Sequence, residues 1–415
     1  MSPLQYRGGA LHLERVALEA VAQRFGTPCY VYSRAAIEAA YRAYDAAFGA
    51  QPHRVCYAVK ANSNLAVLNV LARLGAGFDV VSGGELARVL RAGGKANRVV
   101  FSGVGKSAAE LRQALAAGIA CFNVESAAEL ERLNRVALDL GLQAPVALRV
   151  NPDVDAGTHP YISTGLKENK FGIPAGDALA LYRRAASLPG LRVQGIACHI
   201  GSQLTDLTPL REAAGRIAAL RLTLLAEGIA IEHVDLGGGL GIAYRDEVVP
   251  SAADYAAAIS APFAGSGVKI SIEPGRSIVG PAGVLLTRVE YLKPGAQRNF
   301  AIVDAAMNDL LRPALYDAHH AVLLLREAGG EAKVWELVGP VCESGDFLAH
   351  ARTLALAEGD LLALCDAGAY GFAMSSNYNT RPRPAEVMVD GDRMHLIRAR
   401  ETLDDLWRGE ALLTE

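Results

Sequence analysis

Between residues 54 and 272 the chain alternates, eight times over, a short β-branched run with a longer Ala/Leu-rich stretch. The runs at 54–59, 78–81, 98–102, 120–124, 146–150, 192–199, 232–236 and 269–272 read as strands. The stretches between them, such as 107–117, 127–140 and 210–227, carry good helix formers. Their apolar residues recur at three and four, the period of a helix packed on one face. Such alternation predicts an α/β fold with a parallel sheet. Eight units suit a closed (β/α)8 TIM-like barrel of about 250 residues. An open doubly wound sheet shares the same alternation, and the strand count favours the barrel.

After Gly283 the texture changes. Runs at 284–291, 299–303, 333–338, 361–365 and 386–389 are separated by turn sequences such as Lys293-Pro294-Gly295 and Asp390-Gly391-Asp392. The expectation is a barrel over residues 30–283 and a C-terminal β-rich, sandwich- or barrel-like domain over 284–415. The first 29 residues are grouped with that second domain. A chain of 415 residues has the length for two such domains, each with its own core.

Charge and cysteine usage exclude several function classes. The formal net charge of −3 and the absence of a dense Lys/Arg block argue against nucleic-acid binding. No apolar run approaches the ~18 residues of a membrane span, and residues 1–15 carry no apolar signal core. The six cysteines are widely scattered, with no CxxC, so neither a metal knuckle nor a disulfide framework is expected. Reduced thiols in a cytoplasmic protein follow.

Chemistry in a barrel sits where strands end and loops begin. The residues there are Lys60, Ser82-Gly83, Ser102-Gly103, Asn123, Arg149, Asn151, His199, Gly201-Ser202, Gly237 to Gly239, and Glu273 with Gly275 and Arg276. Lys60 closes the apolar run Tyr57-Ala58-Val59. It is either a solvated strand-end lysine or an amine desolvated to form a Schiff base with a carbonyl. Gly237-Gly238-Gly239 is either a tight strand-to-helix turn or a backbone cradle for an anion. No acidic residue closes a dinucleotide-binding unit about 20 residues on. Glu273-Pro274-Gly275-Arg276 could grip the two ends of a phosphorylated aromatic cofactor, or form a surface Glu–Arg pair. His199 is either a hydrogen-bonded core histidine or a ring stacked on such a cofactor, with Ser202 donating to its phosphate. In the C-terminal half, Cys342-Glu343-Ser344-Gly345-Asp346 sets a thiol beside two carboxylates. Arg312-Pro313-Ala314-Leu315-Tyr316 and Asp366-Ala367-Gly368-Ala369-Tyr370 are further polar-aromatic clusters.

Together these motifs resemble the diaminopimelate decarboxylases, within the fold-type III pyridoxal-phosphate-dependent decarboxylases, over nearly the whole chain. The matching stretches include Tyr57-Ala58-Val59-Lys60-Ala61-Asn62, Thr158-His159-Pro160-Tyr161-Ile162-Ser163-Thr164-Gly165, Lys170-Phe171-Gly172, the His199 loop, the glycine run, the Glu273 loop, the Cys342 loop and Gly368-Ala369-Tyr370-Gly371. The resemblance implies pyridoxal 5'-phosphate as cofactor, no metal, and a homodimer with shared active sites. It implies that Lys60 carries the cofactor, that His199 stacks on it, and that Glu273 pairs with its ring nitrogen. Ser202, Gly237, Gly238, Gly239, Gly275 and Arg276 would form the phosphate cup. Arg276, Arg312 and Tyr316 would hold the substrate's distal carboxylate and Glu343 its distal ammonium. Tyr370 would touch cofactor and substrate, and Cys342 would donate a proton across the dimer. The implied reaction is decarboxylation of meso-2,6-diaminopimelate to L-lysine and CO2, the last step of lysine biosynthesis. A same-fold decarboxylase of another basic amino acid is the alternative. Residues 162–170, with Gly165 as hinge, are expected to form a lid.

Overall fold

The computed structural model describes residues 3–155, 170–327 and 329–413. The segment expected as a lid lies outside the described residues except for Lys170, as does the 158–165 motif. The chain divides into two units. One comprises Glu38–Ala243 and Glu247–Ser277, and the other Met1–Ile37, Tyr244–Asp246 and Ile278–Glu415.

The first unit is the barrel. Its strands are β1 His53–Ala58, β2 Gly77–Val80, β3 Val99–Phe101, β4 Cys121–Val124, β5 Ala144–Asn151, β6 Leu191–Ala197, β7 His233–Asp235 and β8 Lys269–Ile272. Each pairs in parallel with the next, β4 pairs with β5, and β8 pairs back onto β1, so the sheet closes. The registers fix which side chains face the axis. Asp79 lies opposite Val100, Asn123 opposite Ala147, Arg149 opposite Ala197, and Asp235 opposite both Ala197 and Ser271. Cys121, Ala147 and Ala197 form a small buried cluster midway along the axis. Polar side chains sit above it, at the C-terminal ends of the strands. The period of two places all these residues on one side of the sheet.

The outer helices start where local chemistry says they should. Ser82, Ser107 and Ser126 each accept a hydrogen bond from the backbone N–H three residues on, capping the helices Gly83–Arg91, Ala108–Ala117 and Ala127–Asp139. That third residue is glutamate every time, Glu85, Glu110 and Glu129. A carboxylate there also complements the helix dipole.

The second unit is β-rich. Its long strand Gly283–Lys293 is the seam. One half pairs with Cys29–Ser33 and Leu361–Leu364, the other with Asn299–Val303. Cys29–Ser33 is buried at every position and also pairs in parallel with Ala385–Asp390. The N-terminal hairpin Leu4–Arg7/Ala10–Leu13 and helix Leu18–Phe25 feed Leu11, Leu13, Leu18 and Val21 into the same core as Val31, Val284, Leu286 and Val387. The helices after residue 283 are single short turns, Arg312–Tyr316 and Leu403–Leu406 among them. Among the described residues no helix is long and apolar enough to cross a membrane.

Candidate active site

The C-terminal pole of the barrel collects the residues singled out at its strand ends. Lys60 sits on the 3-10 turn Val59–Ala61 that continues β1. Its ammonium donates to Asp79 Oδ2 at 2.6 Å. The lysine side chain is 41% exposed while Asp79 on β2 is fully buried. A buried carboxylate needs a cationic partner, and Asp79 has this one. Its other oxygen, Oδ1, has no hydrogen-bond partner among the described residues. Lys60 is thus held at the mouth by a buried carboxylate that fixes its nitrogen. Lysine must lose a proton before its nitrogen can attack a carbonyl.

His199 follows β6. Burial, with Arg149 and Lys60 adding to it, holds its imidazole well below the usual histidine range. The ring is therefore neutral at physiological pH, a flat uncharged face. The glycine run beside it follows β7. Gly237 has φ +67° and Gly239 φ +114°, a backbone that side chains disfavour. A Cβ on Gly237 would meet the His199 ring, and one on Gly238 the carbonyl oxygen of Glu273. The run therefore threads between two loops with no room for side chains. Gly275 packs equally closely, with Ala58 and Ala61 each 3.0 Å from where its Cβ would lie. Arg276, only 8% exposed, donates through Nη2 to Ser202 Oγ at 3.2 Å. A buried guanidinium, a hydroxyl and a stretch of glycine backbone make a site for a dianionic phosphate.

Glu273 stands after β8, its backbone N–H bonded to Gly237 O at 2.8 Å. Its carboxyl accepts two long hydrogen bonds of 3.4 Å, from Ser102 Oγ and Asn123 Nδ2. Burial and the neighbouring Asp235 and Asp79 push it well above the usual carboxylate range, against the pull of Lys60 and Arg149. A carboxyl in this position suits a basic ring nitrogen, which it can protonate and then pair with. The donor set fits pyridoxal phosphate along its length: an amine for the aldehyde, a flat ring, an anion cradle and an acid. Among the described residues no three His, Cys, Asp or Glu groups are placed to hold a metal ion.

Several residues of this pole went unnoticed in the sequence. Asp79 and Asp235 lie inside strands and not after them. Lys106 is buried at 1% exposure and donates to Gly103 O, Asn123 O and Glu129 Oε1 at 2.6–2.7 Å. It ties the ends of β3 and β4 together beneath Ser102 and Asn123. Glu125 does the same for β3 and β5, accepting from Gly103 N–H, Arg149 Nη1 and Gly172 N–H.

Arg312, Tyr316, Cys342, Glu343 and Tyr370 belong to the β-rich unit. Arg312 is 5% exposed, lies over the Tyr244 ring at 4.6 Å and donates to His320 Nε2 at 3.0 Å. His320 Nδ1 bonds Cys365 O at 2.7 Å, so that nitrogen carries the proton and Nε2 is left as the acceptor. Tyr316 ends the same short helix and is half-buried. Burial pushes nearby Asp366 up to about 6, with Arg312 opposing. Cys342 and Glu343 are exposed on a loop held by Asp346, whose carboxylate accepts from Met307 and Val341 N–H. Cys342 N–H donates to Asn379 Oδ1 at 2.7 Å. The other five cysteines are buried and free. Tyr370 holds φ +56°, a left-handed conformation rare for a bulky residue.

Comparison with known proteins agrees with this chemistry. Residues 34–280 match the pyridoxal-binding domain of pyridoxal-dependent decarboxylases. The diaminopimelate decarboxylase of Pseudomonas aeruginosa is 62% identical over 415 residues, covering 100% of both chains. The diaminopimelate decarboxylase of M. jannaschii, solved in complex with L-lysine, superposes with a TM-score of 0.95 at 39% identity, covering 100% of this chain and 99% of that one. The Helicobacter pylori enzyme, also solved with L-lysine, gives 0.91 at 45% identity, covering 94% and 98%. The chain belongs to the diaminopimelate decarboxylase family of fold-type III pyridoxal-dependent decarboxylases.

Proposed function

We propose that this chain, as a member of that family, decarboxylates meso-2,6-diaminopimelate to L-lysine and CO2, closing lysine biosynthesis in the cytoplasm. The observation that carries the reading is Lys60 seated on Asp79 in the same barrel pole as the glycine cradle, neutral His199 and Glu273. Bound pyridoxal phosphate supplies an electron sink for the pair released as the carboxylate leaves. The chain's own residues do the rest. Lys60 holds the aldehyde end, and Asp79 positions its nitrogen. His199 offers its uncharged face to the ring. The Gly237–Gly239 backbone, Ser202, Gly275 and Arg276 bind the phosphate. Glu273 holds a proton at the ring nitrogen.

Substrate choice and the final protonation are assigned to the β-rich unit. Arg312 and Tyr316, with Arg276, bind the distal carboxylate, and Glu343 binds the distal ammonium. Tyr370 contacts both cofactor and substrate. Cys342 delivers the proton that replaces CO2, reaching the site from the partner subunit of a homodimer. Its exposure on a fixed loop suits a group that works on another chain. A site that holds a distal zwitterion rejects substrates lacking one, because its own buried charge is left unpaired. Equal yields of CO2 and L-lysine from meso-diaminopimelate are the expected result. Loss of stereochemistry without CO2 would overturn the assignment in favour of a racemase.

A further inference from the structure

Asp235 lies one layer below Glu273 on the barrel axis. It sits opposite Ser271 in the β7–β8 register, so both side chains point inward, and Glu273, two residues on, returns to the same side. Asp235 is 1% exposed. Its Oδ1 accepts from Gly237 N–H at 3.0 Å, its Oδ2 is buried with no hydrogen-bond partner among the described residues, and the Glu273 carboxyl and Asn123 amide act on it from the layer above. Among the described residues no cation is bonded to it. The two cations that act on Glu273 are bonded to other carboxylates, Lys60 to Asp79 and Arg149 to Glu125. The other titratable groups facing it are Asp79, the thiols of Cys56, Cys121 and Cys198, the Tyr255 phenol and, on the side away from Glu273, Arg54, which lies opposite Ser271 in the β8–β1 register.

We propose that Asp235 is a positioning residue that carries the negative charge of a carboxyl pair, so that Glu273 holds a proton in the cofactor-free enzyme and presents it to the incoming ring nitrogen. This rests on the functional reading above. Two adjacent buried carboxyls with no cation between them cannot both ionise. The charge settles where the hydrogen bonds to the anion are better. Asp235 has a 3.0 Å backbone N–H, whereas Glu273 has only two 3.4 Å contacts. Burial raises both carboxyls, and at Asp235 the Gly237 N–H opposes that rise, which agrees with the charge resting on Asp235. Docking then breaks the Glu273 O–H bond and forms an N–H bond on the ring. The carboxylate left behind pairs with the cation it has made, and no proton is taken from solvent.

Infrared spectroscopy of the cofactor-free enzyme tests this in the unmutated chain. Burial also lifts Asp309 and Glu85 to about 7, so the Glu273 signal is read as the carboxylic-acid band at pH 7 in the unmutated-minus-Glu273→Gln difference spectrum, where it is expected. In Asp235→Asn the midpoint for losing that band should fall by at least one pH unit. Pyridoxal phosphate affinity gives a second readout. It should be insensitive to pH between 7 and 8 in the unmutated enzyme and fall about tenfold over that unit in Asp235→Asn, which must draw the proton from solvent. No carboxylic-acid band in that difference spectrum, or a difference band that keeps its midpoint in Asp235→Asn, overturns the inference. An enzyme that binds the cofactor yet shows no difference band overturns it while leaving the functional reading intact. An enzyme that binds no pyridoxal phosphate overturns both.

Discussion

His233 opens β7 at the opposite pole of the barrel, and its protonation should set part of the acid limit of the fold. Its ring lies against the backbone of Gly195, its partner in the β6–β7 register, where a Cβ would collide with the imidazole. A cavity of about 220 Å³ beside it is lined by Arg54, Gln194 and Lys269 as well. Burial first, then Arg54 and Lys269, pull the imidazole down to about 4. In the unfolded chain a histidine titrates near 6.5. Above that pH both states are neutral and the residue has no pH effect. As pH falls from 6.5 towards 4 only the unfolded chain gains the proton, so the fold loses stability, and below 4 the loss stops growing. Between pH 7 and pH 5 the loss from this one group is about 2 kcal/mol, rising to about 3 kcal/mol at its limit. Urea unfolding of the wild type and of His233→Gln at both pH values isolates it, because every other titrating group is common to the two. The wild type should lose about 2 kcal/mol more than the variant between pH 7 and 5. Equal losses, or an NMR titration of His233 centred near 6.5, would refute the argument.

Other consequences are equally direct. Lys106→Met strips the cation from buried Glu129 and should destabilise the barrel by about 3–5 kcal/mol, whereas Lys106→Met with Glu129→Leu should recover most of that in urea denaturation. Gly238→Ala puts a methyl against the Glu273 carbonyl; it should cost about 1–3 kcal/mol of stability and weaken pyridoxal phosphate binding at least tenfold in an absorbance titration. Cys342→Ala should bind the cofactor normally, since the thiol is exposed on the β-rich unit, yet turn over at least a hundredfold more slowly. Mixing it with inactive Lys60→Ala should restore part of the activity once subunits exchange, and exchange without recovery would remove the shared-site assignment.

The barrel was legible because parallel strands buried on both faces read as continuous apolar runs, and the helices between them are long enough to show their period. All eight strands stand where the runs predicted, with ends shifted by a residue or two. The β-rich unit was harder. Cys29–Ser33 is short, and its partners Gly283–Lys293 and Ala385–Asp390 lie far along the chain, so nothing local announces it. Phe347–Leu354 and Arg393–Arg398 are half-exposed and carry mixed residues, which blurs their alternation. At the site, strand ends point to Lys60, His199 and Glu273, whereas Asp79 and Asp235 lie within strands and carry no such mark. Their signal was present. An acid at an inward position of an otherwise apolar strand, as in Gly77-Phe78-Asp79-Val80, is costly unless something needs it there. The spacing Ser-x-x-Glu, repeated at 82, 107 and 126, likewise marks three successive helix starts and leads to Glu129, hence to Lys106.

The central claim is tested most directly by CO2 release from the purified enzyme with pyridoxal phosphate, comparing meso-diaminopimelate with L-lysine, L-ornithine and L-arginine. Release from meso-diaminopimelate alone, abolished by Lys60→Ala, is the predicted result. Comparable release from L-lysine or L-ornithine would contradict the distal roles given to Arg312 and Glu343, and release that survives Lys60→Ala would contradict the site itself.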